Sequence, residues 1–158
     1  MSIVNARVDE RLIHGQIAMV WTNTVGATRI AVVNDQAVKD ETIIAALKIS
    51  KPAGVKLSIL SKAKAAEKFK EGTYDEDKIF LITKNIEDMN EIIKNGVPIK
   101  TVNIGNIAKK EGSVQIKKSV NLTEDDIALI KSMIADGINI TAQMLPNESD
   151  QSIEAYLK

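Results

Sequence analysis

The feature that most constrains the fold is a regular alternation between short apolar runs and longer amphipathic segments. The runs have the length and β-branched content of buried strands, whereas the segments between them repeat their apolar residues at helical spacing. The predicted strands are Ile3–Asp9, Arg29–Asn34, Val55–Leu60, Lys78–Thr83, Thr101–Ile104 and Ile138–Met144. Because parallel strands need crossover connections of about a dozen residues, this alternation predicts an α/β fold.

Capping residues mark where several of the predicted helices begin and end. Ser61 and Asn85 precede amphipathic segments that stop at Gly72 and Gly96, and Thr123 begins a sequence typical of a capping box. The apolar stripe of the first helix consists of Ile17, Val20, Trp21, Thr24 and Val25. This stripe should face the sheet, which places the tryptophan in the core.

The stretch Ala108–Leu122 interrupts the alternation. Gly112 and the lysine pairs around it indicate a turn, and Ser119–Leu122 can form a short strand that need not be parallel to the others. The sequence therefore predicts an open twisted, mostly parallel sheet of about seven strands, with helices on both faces and one short antiparallel strand.

Length and composition exclude several classes of protein. The 158 residues contain no repeat or linker, which predicts a single domain over residues 1–158. The 21 acidic and 21 basic residues cancel, so no basic field exists to attract nucleic acid. The absence of cysteine excludes disulfides and thiolate metal sites, and no pattern predicts a metal or a cofactor. Without a membrane span or a signal peptide, we expect a cytoplasmic protein.

Reactive and ionic side chains concentrate in the segment Arg7-Val8-Asp9-Glu10-Arg11-Leu12-Ile13-His14-Gly15-Gln16. This segment leads from the end of the first strand to the start of the first helix, and open α/β sheets bind ligands at the carboxyl ends of their strands. Arg7 and Asp9 are two residues apart on an extended chain, so their side chains share one side. Arg11 and His14 lie in the turn that follows, so all four groups can converge.

These residue types suit the transfer of a phosphoryl group. A neutral imidazole has one nucleophilic nitrogen, so His14 can accept phosphorus without a metal, and Asp9 can fix its tautomer. Arg7 and Arg11 offer planar donor forks that match phosphate oxygens. Gly15 and Gln16 fall at the helix start, where free N–H groups hold anions.

Simpler interpretations compete with this one. A lone histidine in a soluble protein is more often packed or solvent-facing than catalytic, and its charged neighbours could form only weak surface ion pairs. The combination of these groups in one turn favours a site. Asn34, Asp35 and Gly105 lie at the ends of other strands and are candidates for the same crevice, although all three are also ordinary turn residues.

The segment from Arg7 to Gln16, with Trp21 five residues on, closely resembles the N-terminal signature of the mannose/sorbose-class IIB components of the bacterial phosphoenolpyruvate-dependent sugar phosphotransferase system. The resemblance covers nearly the whole chain. It continues through Val33-Asn34-Asp35, Pro52, Asn103-Ile104-Gly105 and the segment from Ser119 to Asp126.

The resemblance implies a phosphocarrier with an open, mostly parallel seven-stranded sheet. It implies that His14 is phosphorylated on Nδ1, with Asp9, Arg7 and Arg11 contributing to the active-site loop. The phosphoryl group would come from the phosphohistidine of a IIA partner and pass to a sugar held by membrane IIC and IID subunits. Such a protein would be cytoplasmic and peripherally associated with the permease.

Two other functions remain open at this point. Arg11-x-x-His14-Gly15 weakly resembles the Arg-His-Gly motif of the histidine phosphatases. Those enzymes pair two histidines, and this chain has one. A regulatory α/β domain that binds an anion without chemistry is the second. The sequence does not specify the sugar, and it leaves homo-oligomerisation open. We also expect the apolar pair Leu12 and Ile13 to be exposed for partner contact.

Overall fold

The computed structural model describes residues 2–148 and 152–157. In this part of the chain the strands are β1 (Ser2–Asp9), β2 (Arg29–Val33), β3 (Lys56–Leu60), β4 (Lys78–Thr83), β5 (Thr101–Asn106), β6 (Val114–Lys117), β7 (Val120–Leu122) and β8 (Asn139–Ala142). The α-helices are α1 (Gly15–Val25), α2 (Glu41–Ser50), α3 (Lys62–Glu71), α4 (Ile86–Lys94) and α5 (Glu124–Ala135). Short 3₁₀ helices span Ala37–Lys39 and Ile153–Tyr156.

Six of these strands form one parallel sheet in the order β3-β2-β4-β1-β5-β8. The first strand therefore lies inside the sheet, with β4 and β5 as its neighbours. Both of its edges are hydrogen-bonded, so its carboxyl end is a rigid position from which the following loop starts. None of the helices in the described residues is long and apolar enough to cross a membrane.

Helices cover both faces of the sheet, as predicted. One apolar cluster joins α1 and α2 to residues such as Ile30 and Phe80, and the other joins α3, α4 and α5 to residues such as Ala31 and Ile79. The two clusters take alternate residues of the same strands, because successive side chains of a strand point to opposite faces. In β1, Ala6 and Val8 belong to the second cluster. Arg7 therefore points to the face that α1 covers.

The antiparallel pairing lies outside the main sheet. Strands β6 and β7 form a two-stranded antiparallel unit, and a single parallel bridge from Ile107 to Val120 connects β7 to the end of β5. The predicted antiparallel strand is confirmed as β7, whereas its partner Val114–Lys117 was not predicted. That strand has four residues, and none of them is buried, so it lacks the apolar run that identified the others.

Side chains cap the N-termini of α2, α3, α4 and α5 in the described part of the chain. Asp40, Ser61, Asn85 and Thr123 each accept a hydrogen bond from a backbone N–H of the first turn. Helix α1 differs, because the residue at its N-cap position is His14, whose side chain makes no such bond. Its first-turn N–H groups are therefore left without a side-chain cap.

Candidate functional site

Asp9, the last residue of β1, is the centre of the candidate site. Its side chain is 1% exposed and has three hydrogen-bonding neighbours. One carboxylate oxygen, Oδ2, accepts from Arg7 Nε at 3.3 Å and lies 2.8 Å from His14 Nε2. The other, Oδ1, accepts from the backbone N–H of Arg11 at 2.9 Å. A buried carboxylate therefore joins the strand, the loop and the imidazole.

The contact with Asp9 defines which nitrogen of His14 is available for chemistry. An ionised carboxylate only accepts hydrogen bonds, so the ring nitrogen that faces it, Nε2, carries the proton. In the neutral ring Nδ1 then has the free electron pair. The side chain of His14 is 19% exposed, so the ring is partly accessible from solvent. Its Nε2 is held by the buried Asp9 carboxylate.

Arg7 lies beneath the site. Its side chain is 1% exposed and is stacked over the ring of Trp21, with 5.3 Å between Cζ and the ring centroid. Arg7 Nη1 donates to Asn103 Oδ1 at 2.6 Å and to the carbonyl oxygen of Gln143 at 2.9 Å. Burial lowers the pKa of Arg7, and the Asp9 carboxylate opposes that shift. A direct contact between Arg7 and phosphate would need the guanidinium at the surface, where the structure does not place it.

Gly105 makes room for this arginine. A Cβ atom at position 105 would lie 2.0 Å from Arg7 Cζ, well inside van der Waals contact. The carbonyl oxygen of Gly105 accepts a hydrogen bond from Ser119 Oγ at 2.7 Å, which fixes the backbone against the guanidinium. Position 105 therefore needs a glycine so that Arg7 can pack against the backbone, whereas a place for Gly105 in the crevice stays a prediction.

The loop between Asp9 and α1 turns its apolar residues inward. The N–H of Leu12 donates to the carbonyl oxygen of Asp9 at 2.9 Å, and Leu12 has a φ of 60°, a conformation that few non-glycine residues adopt. Leu12 and Ile13 are buried in the cluster that contains Trp21. Our expectation that they are exposed for partner contact is wrong, because this tight turn directs both side chains into the core.

The other predicted residues of the loop are at the surface. The side chain of Arg11 is exposed, and Gly15 and Gln16 form the exposed start of α1. Gly15 has a φ of 51°, which suits glycine at this sharp transition from loop to helix. Arg11 borders a groove of about 370 Å³, whose other lining residues are Asn106, Lys117, Lys118, Ser119, Met144 and Glu148.

The residues predicted at the end of β2 stabilise neighbouring turns. Asn34 Oδ1 accepts from the N–H of Ala37 at 2.8 Å, the geometry of an asparagine-stabilised turn. Asp35 Oδ1 accepts from the N–H of Lys62 at the start of α3, and Asp35 Oδ2 lies 3.8 Å from Lys62 Nζ. Both residues therefore have partners of their own at the carboxyl edge of the sheet.

Sequence reasoning missed the residues that hold Arg7 from below. Asn103 was noted only as part of a sequence resemblance, and Gln143 contributes a backbone carbonyl, for which no side-chain pattern exists. These partners are 96 and 136 residues away from Arg7 along the chain, so only the folded sheet brings them together. Within residues 2–148 and 152–157, no group of three or more acidic or histidine side chains is arranged to hold a metal ion.

Comparisons with known proteins give a consistent result. A family model described as "PTS system sorbose subfamily IIB component" matches residues 3–158. The fructose-specific EIIB component of the phosphotransferase system from Bacillus subtilis is 35% identical over 158 residues, which cover 100% of this chain and 97% of that protein.

Two further relatives add a structure and a longer protein. The IIBSor domain of the sorbose permease from Klebsiella pneumoniae superimposes with a TM-score of 0.94 and 30% identity, covering 99% of this chain and 96% of that one. The mannose-specific EIIAB component of Escherichia coli K12 is 32% identical over 148 residues, which cover 94% of this chain but 46% of that protein.

Proposed function

This chain belongs to the sorbose-subfamily IIB components of the phosphotransferase system, and we propose that it carries the phosphoryl group on His14. In this proposal Nδ1 of His14 accepts the group from the phosphohistidine of a IIA partner. The group then passes to a sugar that membrane IIC and IID subunits transport. The single observation that carries the proposal is the 2.8 Å contact between Asp9 Oδ2 and His14 Nε2, which leaves Nδ1 as the nucleophile.

This geometry supports the chemistry that we propose for the two transfers. In the first, the electron pair on Nδ1 forms the new N–P bond while the donor imidazole keeps the pair of the bond that breaks. The phosphorylated ring is positively charged, and the buried Asp9 carboxylate offsets that charge through the Nε2 proton. In the second, a sugar hydroxyl oxygen attacks phosphorus, Nδ1 recovers its electron pair, and the hydroxyl proton leaves to solvent or to a base.

The residues around the ring divide into two groups by their exposure. Arg11, Gly15 and Gln16 are exposed and can bind the phosphoryl oxygens, the arginine through its donor fork and the other two through N–H groups at the start of α1. Arg7 is buried and acts by holding Asp9 in place. The proposed steps use only protein side chains and backbone N–H groups.

The family and one relative support the proposed partners. The E. coli protein is named EIIAB and is about twice as long as the matched region, which supports a IIA unit as the phosphoryl donor. We place the chain, as one domain over residues 1–158, on the cytoplasmic side of a permease. The relatives are named for sorbose, fructose and mannose, so membership of the family specifies the reaction and not the hexose.

A labelling experiment tests the proposal directly. Incubation with phosphorylated IIA protein should add one phosphate that is labile in acid and stable in alkali, as a phosphohistidine is. The His14→Ala variant should take up none, whereas Asp35→Asn, after the end of β2, should be labelled like the wild type. Label that persists in His14→Ala, or a label destroyed by both acid and alkali, would assign the phosphate to another residue and refute the proposal.

A further inference from the structure

A turn near the C-terminus lies against the candidate site although it is remote in sequence. This turn, residues 143–148, presents two consecutive carbonyl oxygens to the residues below the imidazole. The carbonyl of Gln143 accepts from Arg7 Nη1 at 2.9 Å, and the carbonyl of Met144 accepts from Trp21 Nε1 at 2.8 Å. Since Arg7 is stacked over Trp21, the turn fixes both members of that pair.

Glu148 closes the turn with both of its carboxylate oxygens. Oε1 accepts from the N–H of Met144 at 3.2 Å, and Oε2 accepts from the N–H of Leu145 at 3.1 Å. The carbonyl oxygen of Glu148 also accepts from Gln143 Nε2 at 3.0 Å. The Glu148 side chain therefore bonds the same two peptide groups whose carbonyl oxygens hold Arg7 and Trp21.

Lys117 connects the turn to the β6–β7 unit. Its Nζ donates to the carbonyl oxygen of Ala142 at 2.9 Å and lies 3.5 Å from Glu148 Oε1. The lysine thus contacts the last residue of β8 and the residue that closes the turn. Strand β6 is therefore connected to the turn 143–148 through Lys117, and the turn contacts the buried Arg7.

We propose that Glu148 is a positioning residue for phosphoryl transfer, an inference that rests on the proposed function. By fixing the turn 143–148, Glu148 holds Arg7 against Asp9, and Asp9 in turn orients the imidazole of His14. Burial lowers the pKa of Arg7 and the Glu148 carboxylate is one of the charges that oppose this, in agreement with the geometry. The simpler alternative is that Glu148 only stabilises a surface turn.

Transfer kinetics distinguish these two roles. At a temperature where circular dichroism shows each protein folded, Glu148→Ala should lower the transfer rate from phosphorylated IIA about tenfold, because small displacements in a reacting geometry are costly. Glu148→Gln keeps one acceptor oxygen and should fall between this variant and the wild type. The KM for the donor should not change, since the proposed role involves no contact with the donor.

Asp126→Ala is the matched control, because it removes the acceptor oxygens of a structural carboxylate, as Glu148→Ala does. The Asp126 carboxylate accepts a backbone hydrogen bond from Thr123 at 3.0 Å and so closes the start of α5, away from Arg7. This variant should lose a comparable amount of stability and should transfer phosphate at the wild-type rate. Equal slowing in Asp126→Ala and Glu148→Ala would show that any local destabilisation slows transfer, which would overturn the positioning role.

The ¹⁵N chemical shifts of the His14 ring provide a readout that is independent of transfer. The wild type should show the tautomer with hydrogen on Nε2, and Glu148→Ala should show a mixture of tautomers. An unchanged tautomer in folded Glu148→Ala would overturn the inference, even if the KM for the donor rose. Failure of the wild type to accept phosphate would refute the proposed function instead, and the tautomer would still decide the role of Glu148.

Discussion

Two clusters at opposite ends of the sheet each combine an arginine, an aspartate and an aromatic residue, but they differ in the further partners of the aspartate. The site cluster comprises Arg7, Asp9 and Trp21, and the opposite cluster comprises Arg29, Asp77 and Tyr74. In both, an arginine Nε bonds a carboxylate, at 3.3 Å in the site cluster and 2.9 Å in the opposite one. In both, the guanidinium lies over an aromatic ring, at 5.3 and 4.7 Å.

The remaining contacts separate the two clusters. Asp77 also accepts from Thr28 Oγ1 at 3.0 Å and lies 3.8 Å from Lys56 Nζ, so its neighbours are residues at the amino ends of strands. Asp9 instead has an imidazole as its third partner, at the carboxyl end of a strand. An arginine–carboxylate–aromatic group therefore does not identify a site by itself. The partner of the carboxylate, and the end of the sheet where it lies, distinguish the two.

The largest expected difference is in stability. Arg7→Met should lower the free energy of unfolding by about 3–5 kcal/mol, because it leaves the buried Asp9 carboxylate without its cation. Arg29→Met should lower it by roughly 1 kcal/mol, since both members of that pair are partly open to water. Urea denaturation of the two variants measures the contrast. Equal losses would mean that the depth of burial does not separate the clusters.

The next effect concerns phosphoryl transfer. Asp9→Asn should slow transfer to the protein roughly a hundredfold, because the amide can donate to Nε2 and thereby move the ring proton to Nδ1. Asp77→Asn makes the same chemical change at the other end of the sheet and should leave the rate unaltered. Rapid-quench measurement with phosphorylated IIA compares the two. A normal rate in Asp9→Asn would show that the carboxylate does not determine the tautomer.

A smaller effect is expected for the exposed arginine of the site. Arg11→Lys replaces a planar fork with a point charge and should slow transfer about tenfold, the equivalent of one hydrogen bond to a charged group. Arg29→Lys supplies the matched control in the opposite cluster and should not change the rate. Steady-state transfer assays on folded variants decide this. An unchanged rate in Arg11→Lys would exclude Arg11 from phosphate binding.

The smallest effect is a pH dependence confined to the opposite cluster. The hydrogen bond from Arg29 holds the pKa of Asp77 below its ordinary 3.8, with Thr28 contributing and burial opposing the shift. The stabilisation is therefore fully present above that ordinary value and is lost as the pH falls through the folded-state pKa. The stability difference between wild type and Asp77→Asn should be at most about 1 kcal/mol and should shrink in acid. A difference independent of pH would contradict this assignment.

The sequence predicted the elements whose signals are local. The apolar run Lys78–Thr83 coincides with β4, and Ser61, Asn85 and Thr123 cap α3, α4 and α5 as their chemistry requires. The seven predicted strands all correspond to observed ones. By contrast, Val114–Lys117 has no buried face, so its pairing is visible only once β7 is in place.

In the candidate site, too, only the features with a local sequence signal could be predicted. Its position at the end of β1 could be predicted, because Arg7 and Asp9 fall on one side of a strand that leads into a helix. The inward turn of Leu12 could not, since a positive φ at leucine has no sequence signal. The support of Arg7 by the carbonyl of Gln143 depends on the register of β8 beside β5, which the sequence does not encode locally.

The uncapped start of α1 has a consequence for redesign of this protein. Serine, aspartate or asparagine at an N-cap position typically contributes about 1 kcal/mol, and His14 occupies that position without contributing such a bond. A sequence optimised for thermostability alone would therefore replace His14 with a capping residue and remove the imidazole. Under the proposed function, the chain is less stable than its fold permits at the position that carries the phosphoryl group.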